Sequence, residues 1–272
     1  MSGRPDRQEV AGSMIGAIAG DIIGSVYEAA PIKTTEFPLF GPGSRFTDDS
    51  VMSVAVAAAI LDNRLYAQAL RHYGRRYPDA GYGGNFHQWL FSPDPSPYHS
   101  FGNGSAMRVS PVGYACDRIE TVLAEAARSA RCTHDHPEGI RGAQAVALAV
   151  FLARRGMDKT AVRDEIERRS GYDLRRRLAQ IRPIYRFDVS CQGSVPEAII
   201  CFLESADWES AVRNAVSLGG DSDTQACIAG GIAEAFYGPV PVTVREQVKA
   251  YLTGELWEVA ARFHRRFVLH SD

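Results

Sequence analysis

Lysine is scarce in this chain: only three of its 30 basic residues are Lys, so local positive charge is almost entirely guanidinium. Excess charge of either sign is missing too. Thirty Lys and Arg face 32 Asp and Glu, a net charge of -2, and this gives no general reason to expect a nucleic-acid or acidic-membrane partner. No run reaches 18 apolar residues, because Asp21 interrupts the partly apolar stretch 10–30. The N-terminal MSGRPDRQEV carries no long apolar segment, so neither a membrane span nor a secretory leader is expected and a cytoplasmic location is. The five cysteines are odd in number and include no C-x-x-C. Buried reduced thiols are the simplest reading of them. No low-complexity linker divides the 272 residues, which predicts one domain.

What is present is helical. Residues 1–9 read as a frayed tail and 10–268 as the domain. Gly12, Gly16, Gly20 and Gly24 recur at spacing four within 10–30 and share one helical face. Each costs roughly 1 kcal/mol relative to alanine, so the segment is expected to pack very closely in the core. Residues 31–47 form a loop, and Thr47 can cap a helix over 48–61. Further helical patterns cover 65–76, 105–114, 117–131, 138–155, 158–169, 174–181, 194–205, 207–217, 223–236, 244–253 and 255–266. Residues 78–104 are rich in Gly, Pro and aromatics without clean periodicity and are expected to be a long, functional loop. Strand-length alternation is lacking, so the fold class is all-α.

Two segments carry more acid than capping needs. Thr47-Asp48-Asp49 and Asp221-Ser222-Asp223-Thr224 each put two carboxylates and a hydroxyl at the start of an apolar helix. Neighbouring carboxylates repel, and burial would raise at least one pKa. A hard divalent ion removes the conflict, since Mg²⁺ takes about six oxygens from carboxylates, hydroxyls and water. If the two turns face each other they could hold two ions about 3.5–4 Å apart, a geometry used in hydrolysis. Zinc fits poorly, because neither turn includes Cys or His. Surface acidity with ordinary capping is the competing reading.

Weaker signals surround these. Gly102-Asn103-Gly104-Ser105 before a helical stretch can cradle phosphate oxygens with its amides, or be a plain Asn-Gly turn. Arg108 could pair with a substrate phosphate or with a structural carboxylate. Glu28 is a candidate acid/base or gate, or a solvated helix-end acid. Tyr98, His99 and Phe101 could form an aromatic wall for a base or sugar, or a packed loop. His134 or His136 could donate to a ligand. Nothing marks Ser194 as a nucleophile, since Cys191-Gln192-Gly193-Ser194 is not G-x-S-x-G.

Taken in order, Gly16 to Asp21 with Glu28, Phe46 to Met52, Gly102 to Arg108, Thr133 to Pro137 and Leu218 to Thr224 resemble the ADP-ribosylglycohydrolase family, over about residues 11–238. The resemblance implies a single compact orthogonal all-α domain with a central dinuclear cleft. It implies two divalent cations, Mg²⁺ first and Mn²⁺ as the alternative, held by Thr47, Asp48, Asp49, Asp221, Asp223 and Thr224. It implies catalysis by Glu28, Asp48 and Asp49. Substrate would lie along Tyr98, Phe101, Gly102, Asn103, Gly104, Ser105, Arg108 and His134, with Gln192 and Ser194 as further pocket candidates. The expected reaction is hydrolysis of the bond between the anomeric carbon of ADP-ribose and an acceptor. The partner is then an ADP-ribosylated protein or a small ADP-ribose conjugate, with modified nucleic acid still open, and the chain is expected to be a monomer. A non-catalytic ADP-ribose-binding module and a two-metal phosphohydrolase cutting the diphosphate are the alternatives. Loops 31–45, 78–100 and 183–195 would select the acceptor.

Overall fold

Gly16, Gly20 and Gly24 line one face of the first helix, α1 (Ile15–Gly24), every residue of which is buried. The computed structural model describes residues 14–267, so Gly12, the expected tail and the outermost domain residues lie outside the described residues. The glycine face lies on the last buried helix of the core, α13 (Ser222–Tyr237), backbone against backbone. A Cβ at Gly16 would stand 2.6 Å from the Gly230 carbonyl oxygen. One at Gly20 would overlap the Ala226 carbonyl, and one at Gly24 the Ser222 carbonyl. The Glu234 carboxylate of α13 accepts the Gly16 N–H at 2.6 Å, occupying one of the free donors at the start of α1. The close packing predicted from spacing four is therefore real, and it sets the end of α1 beside the start of α13.

The remaining helices among the described residues are α2 (Asp48–Leu61), α3 (Tyr66–Arg76), α4 (Gly84–Phe91), α5 (Gly104–Met107), α6 (Ser110–Ala115), α7 (Ile119–Ala130) and α8 (Pro137–Arg154), then α9 (Lys159–Ser170), α10 (Leu178–Ile181), α11 (Cys191–Leu203), α12 (Trp208–Val216), α14 (Val242–Tyr251) and α15 (Gly254–Phe267). The described residues contain no strand, and one isolated antiparallel bridge joins Gly102 to Ser190. The chain is thus a single all-α domain. Helix α13 is buried from Ser222 through Glu234, with α1, α12, α11 and α8 around it. Its N-terminal carboxylates are consequently inside the molecule rather than on its surface.

Several expected extents need correction, including 174–181, of which only α10 (Leu178–Ile181) is helical. The stretch 78–104 is not one loop, because it contains α4. Phe86, Trp89 and Leu90 of that helix are buried at helical spacing, and Gly74 of α3 leaves room for Leu90. Arg75 Nε donates to the Leu90 carbonyl at 2.6 Å and Arg71 to that of Ser92, favourable charges at a helix C-terminus. The predicted helix 105–114 is two pieces, α5 and α6, separated at Arg108 and Val109. Pro111 has no N–H to continue a helical ladder and sits in the first turn of α6. Helix α11 begins at Cys191, earlier than expected, because Ser190 caps it by accepting the Gly193 N–H at 3.1 Å.

Candidate functional site: a carboxylate cleft

Thr47 caps α2 from an extended backbone, with its hydroxyl oxygen accepting the Asp49 N–H at 3.3 Å. The turn is fixed from beneath by Asp21 of α1, which is fully buried. Asp21 accepts from Thr47 N at 2.9 Å, Thr47 Oγ1 at 2.6 Å, Ser50 N at 3.1 Å and the Ser50 hydroxyl. Burial first, then the charge of Asp223, pushes the Asp21 carboxyl up to about 7 against these bonds. In the sequence Asp21 closes the Gly16 to Asp21 motif, and no local pattern marks it as the support of the Thr47 turn.

The second acidic turn follows Gly219, whose φ of 62° lies in the left-handed region that favours glycine. Asn103 donates to Asp221 Oδ2 at 2.7 Å and to Ser194 Oγ at 3.1 Å, linking this turn to the Gly102–Gly104 loop. Thr224 donates to Asp49 Oδ2 at 3.2 Å, so the two helix starts touch.

Carboxylate oxygens converge here in two groups. One comprises Asp21, Asp49 and Asp223, the other Glu28, Asp221 and Asp223, with oxygens in each group within 4.8 Å of one another. Asp223 belongs to both. Asp49 Oδ1 and Asp223 Oδ1 are buried without a hydrogen-bond partner. Burial is the first cause, and Asp223 the second, that raises the carboxyls of Asp48, Asp49 and Asp221 well above their ordinary range. Uncompensated buried carboxylates are costly, and orphaned oxygens with no basic side chain among them fit divalent cations. The arrangement is two carboxylate clusters consistent with a dinuclear, oxygen-ligand site.

A cleft of about 380 Å³ opens over these groups. Its walls include Glu28, Thr47, Asp48, Asp49, Asp221, Asp223, Thr224, Tyr98, Gly102, Asn103, Gly104, Arg108 and His134. These sequence-predicted residues are therefore brought together. Others are not on the wall. The Ser105 hydroxyl turns into the core and donates to the Gly139 carbonyl at 2.7 Å. Ser194 is buried, donating to Ser190 O at 2.7 Å and accepting from Asn103. Gln192 is exposed on α11. Phe101 is half exposed, with its ring 5.5 Å from that of His136.

The wall also includes residues that the sequence does not single out one by one, among them Gly83, Gly84, Asn85 and Phe86 at the start of α4, within the 78–100 segment expected to select the acceptor. Nothing stands within 4 Å of a Cβ built on Gly83 or Gly84, so the main chain there is open to approach. The free N–H groups of a helix start make such a backbone attractive to anions. Beside it Arg108, 1% exposed, donates from Nη2 to Ser129 O at 3.1 Å and Thr133 Oγ1 at 3.0 Å, while its Nε has no partner. His134 Nδ1 lies 2.7 Å from Thr133 Oγ1. Burial and then Arg108 drive the His134 pKa down, so its ring is neutral. A Cβ at Gly104 would be 3.3 Å from His134 Nε2, which places that nitrogen against the glycine loop.

A family model for ADP-ribosylglycohydrolase matches residues 3–272. The chain belongs to the ADP-ribosylglycohydrolase family. As a member it is a hydrolase, of the type that acts on ADP-ribose conjugates. Among its relatives, ADP-ribosylhydrolase ARH3 of Bos taurus is 28% identical over 94% of this chain and 92% of that protein. ADP-ribosylarginine hydrolase Tri1 of Pseudomonas putida is 24% identical over 84% of this chain and 70% of its own. A solved structure described as an ADP-ribosylglycohydrolase-related protein complex superposes with a TM-score of 0.71 at 26% identity, covering 96% of this chain and 97% of that one. No helix among the described residues is long and apolar enough to cross a membrane.

Proposed function

We propose that this ADP-ribosylglycohydrolase cleaves the glycosidic bond between the anomeric carbon of ADP-ribose and an acceptor, releasing ADP-ribose, with two Mg²⁺ ions. The observation that carries this is the sharing of Asp223 by two carboxylate groups at the base of a cleft whose wall also includes a glycine loop and a helix start. Thr47, Asp48, Asp49, Asp221, Asp223 and Thr224 supply the ligand oxygens. Such ions would fix the two vicinal hydroxyls of the ribose and offset charge that develops at the reacting sugar.

The residues of the chain do the rest. Asp21 holds Thr47 and Ser50 in place and thereby orients Asp48 and Asp49. The Gly104 amide and the start of α4 receive the diphosphate, the Gly102 and Asn103 N–H groups being already taken by Ser100 Oγ and Val189 O, with Arg108 Nε behind them as an unpaired donor. Because Arg108 only donates, Thr133 Oγ1 accepts from it and can give its own proton to His134 Nδ1, leaving Nε2–H to donate to a ribose or phosphate oxygen. Glu28 sits exposed on the cleft wall, its carboxyl raised by burial first and Asp223 next, with Arg45 opposing. A carboxyl so raised is suited to take the proton of the attacking water at one of its oxygens. An oxocarbenium-like sugar is favoured by the carboxylates around it.

The test is incubation with Mg²⁺ and a panel of arginine-, serine-, acetyl-ester-, polymer- and nucleic-acid-linked ADP-ribose. Free ADP-ribose from any linkage supports the reading and names the acceptor. AMP with ribose phosphate would identify a diphosphate-cutting enzyme, and intact substrate throughout a binding module.

A further inference from the structure

The segment between Glu28 and the Thr47 turn has no regular structure, and besides ring and hydroxyl contacts such as Phe40 on Tyr251 and Tyr27 to the Pro38 carbonyl, two cationic side chains fasten it to the body of the protein. Arg213 of α12 donates to the Thr35 carbonyl at 2.9 Å and the Phe37 carbonyl at 2.7 Å, and its guanidinium lies 4.9 Å from the Phe37 ring. The other fastening is Lys33. Its ammonium donates to the Tyr185 carbonyl at 2.9 Å and to the carbonyl of Leu218.

Those two acceptors are not arbitrary. Leu218 is fully buried and immediately precedes Gly219-Gly220-Asp221, the turn that delivers the second set of carboxylates. The approach is tight on both sides of it. A Cβ at Gly219 would be 2.8 Å from the Ile32 carbonyl oxygen and 3.2 Å from Lys33 Cε, and one at Gly220 would collide with the Tyr185 ring. Tyr185 is itself pinned, its hydroxyl donating to Gly193 O at 2.8 Å. Four residues on, Val189 is a cleft-wall residue and its carbonyl accepts the Asn103 N–H at 2.7 Å. One ammonium thus joins the Glu28 segment, the Tyr185–Val189 segment and the Asp221 turn. It does so in an unfavourable setting, since desolvation and then the positive charges of Arg186 and Arg182 lower its pKa. A cation kept where its neighbours repel it is held by its carbonyl bonds.

We infer that Lys33 is a positioning residue that sets the separation of Glu28 from the Asp221 turn and so shapes the carboxylate group of Glu28, Asp221 and Asp223, in which Asp221 and Asp223 are the ligands and Glu28 stands beside them. This rests on the metal reading above. It assigns a distinct task to each fastening: Arg213 tethers the segment, whereas Lys33 registers it against the carboxylates.

The experiment is Mn²⁺ titration of the EDTA-stripped full chain, with free Mn²⁺ read by electron paramagnetic resonance, alongside amide hydrogen exchange over residues 29–46. In Lys33→Met and Lys33→Gln the weaker of two Mn²⁺ sites should lose about tenfold or more in affinity, as removal of a group that orients metal ligands does. Lys33→Arg, which can still donate to two carbonyls, should recover most of it. Arg213→Gln should speed exchange at residues 33–40 and leave both Mn²⁺ affinities unchanged. Wild-type affinities in both Lys33 variants would overturn the role of Lys33 alone. Equal losses in the Arg213 and Lys33 variants would also overturn it, reducing Lys33 to a tether. Failure of the wild type to bind Mn²⁺ would remove the metal reading itself, and the inference with it.

Discussion

Thr224 and Asp49 are 175 residues apart in sequence and meet through a 3.2 Å hydrogen bond at the floor of the cleft. That contact favours metal binding over plain surface capping, because it brings the two acidic turns together in the interior. An acidic helix start on the surface would be solvated, whereas this one meets a second acidic start in the interior, with Asp49 Oδ1 and Asp223 Oδ1 left bare. Capping accounts for Thr47, whose oxygen receives the Asp49 amide, and leaves those two oxygens unexplained.

Asp223→Asn should separate the two roles of the cluster. In EDTA it should melt no lower than wild type, because it removes one of several mutually repelling carboxylates. With Mg²⁺ at a hundredfold excess over Kd, wild type should gain about 2.7 kcal/mol and the variant almost nothing. Turnover should vanish in the variant. Thermal unfolding with and without Mg²⁺ reads both effects. A variant that melts much lower in EDTA would show Asp223 to be structural.

The metal-free protein should lose stability as pH rises. A carboxyl whose folded pKa exceeds its unfolded value binds more protons folded than unfolded between the two, so stability declines across that window. For Asp21 the window runs from 3.8 to about 7, and Asp48, Asp49 and Asp221 shift in the same direction. Glu28 and Glu197 are raised too, while His134 and His264, with lowered pKa values, act in the opposite sense and are outnumbered by the raised carboxyls. The Tm in EDTA should therefore fall from pH 5 to pH 7.5. The increment added by Mg²⁺ should grow over the same range, since ions and protons compete for the same oxygens. A rising EDTA profile would contradict the burial of these groups.

Asp21→Asn tests the support beneath α2. Three of the four donors that now point at the carboxylate meet Oδ2 and one meets Oδ1, so the amide would set its NH₂ against at least one of them. We expect a loss of about 1–3 kcal/mol at pH 8. The loss should be smaller at pH 5, where Asp21 is itself largely protonated. Mn²⁺ affinity should drop by about 10–100-fold. Unchanged affinity would confine Asp21 to a purely structural part.

Local signals carried much of this into the sequence. The Thr47 cap followed by an apolar run marks α2 at its observed bounds, and glycine spacing marks the buried face of α1. What stayed hidden is tertiary. Asp21 gains its meaning from Thr47 and Ser50, 26 and 29 residues away. Helix α4 opens on two glycines and is followed by three prolines within 93–97, which obscures its Phe86, Trp89 and Leu90 face. The glycine loop was legible as a unit, but which of its side chains face the cleft was not. Ser105 turns inward because the Gly139 carbonyl lies within reach, a contact no local pattern encodes.

Gly20→Ala should be among the most damaging single methyl additions to the fold. Alanine is the better helix former by about 1 kcal/mol. Against that, its Cβ would overlap the Ala226 carbonyl carbon and oxygen, which are main-chain atoms of a buried helix and cannot step aside as a side-chain tip can. Overpacking of this kind costs about 3 kcal/mol, so the clash outweighs the propensity gain. For a chain of this size the Tm should fall by about 4–8 °C. Since α1 and α13 also hold Asp21 and Asp223 together, the stabilisation by Mg²⁺ should shrink in parallel. Gly254→Ala is the matched control: it lies in the first turn of α15 with nothing within 4 Å of its Cβ, and should leave Tm and the Mg²⁺ increment unchanged or slightly raised. Equal behaviour of the two variants would mean that α1 and α13 can separate without cost, and that backbone contact between them does not assemble the cleft.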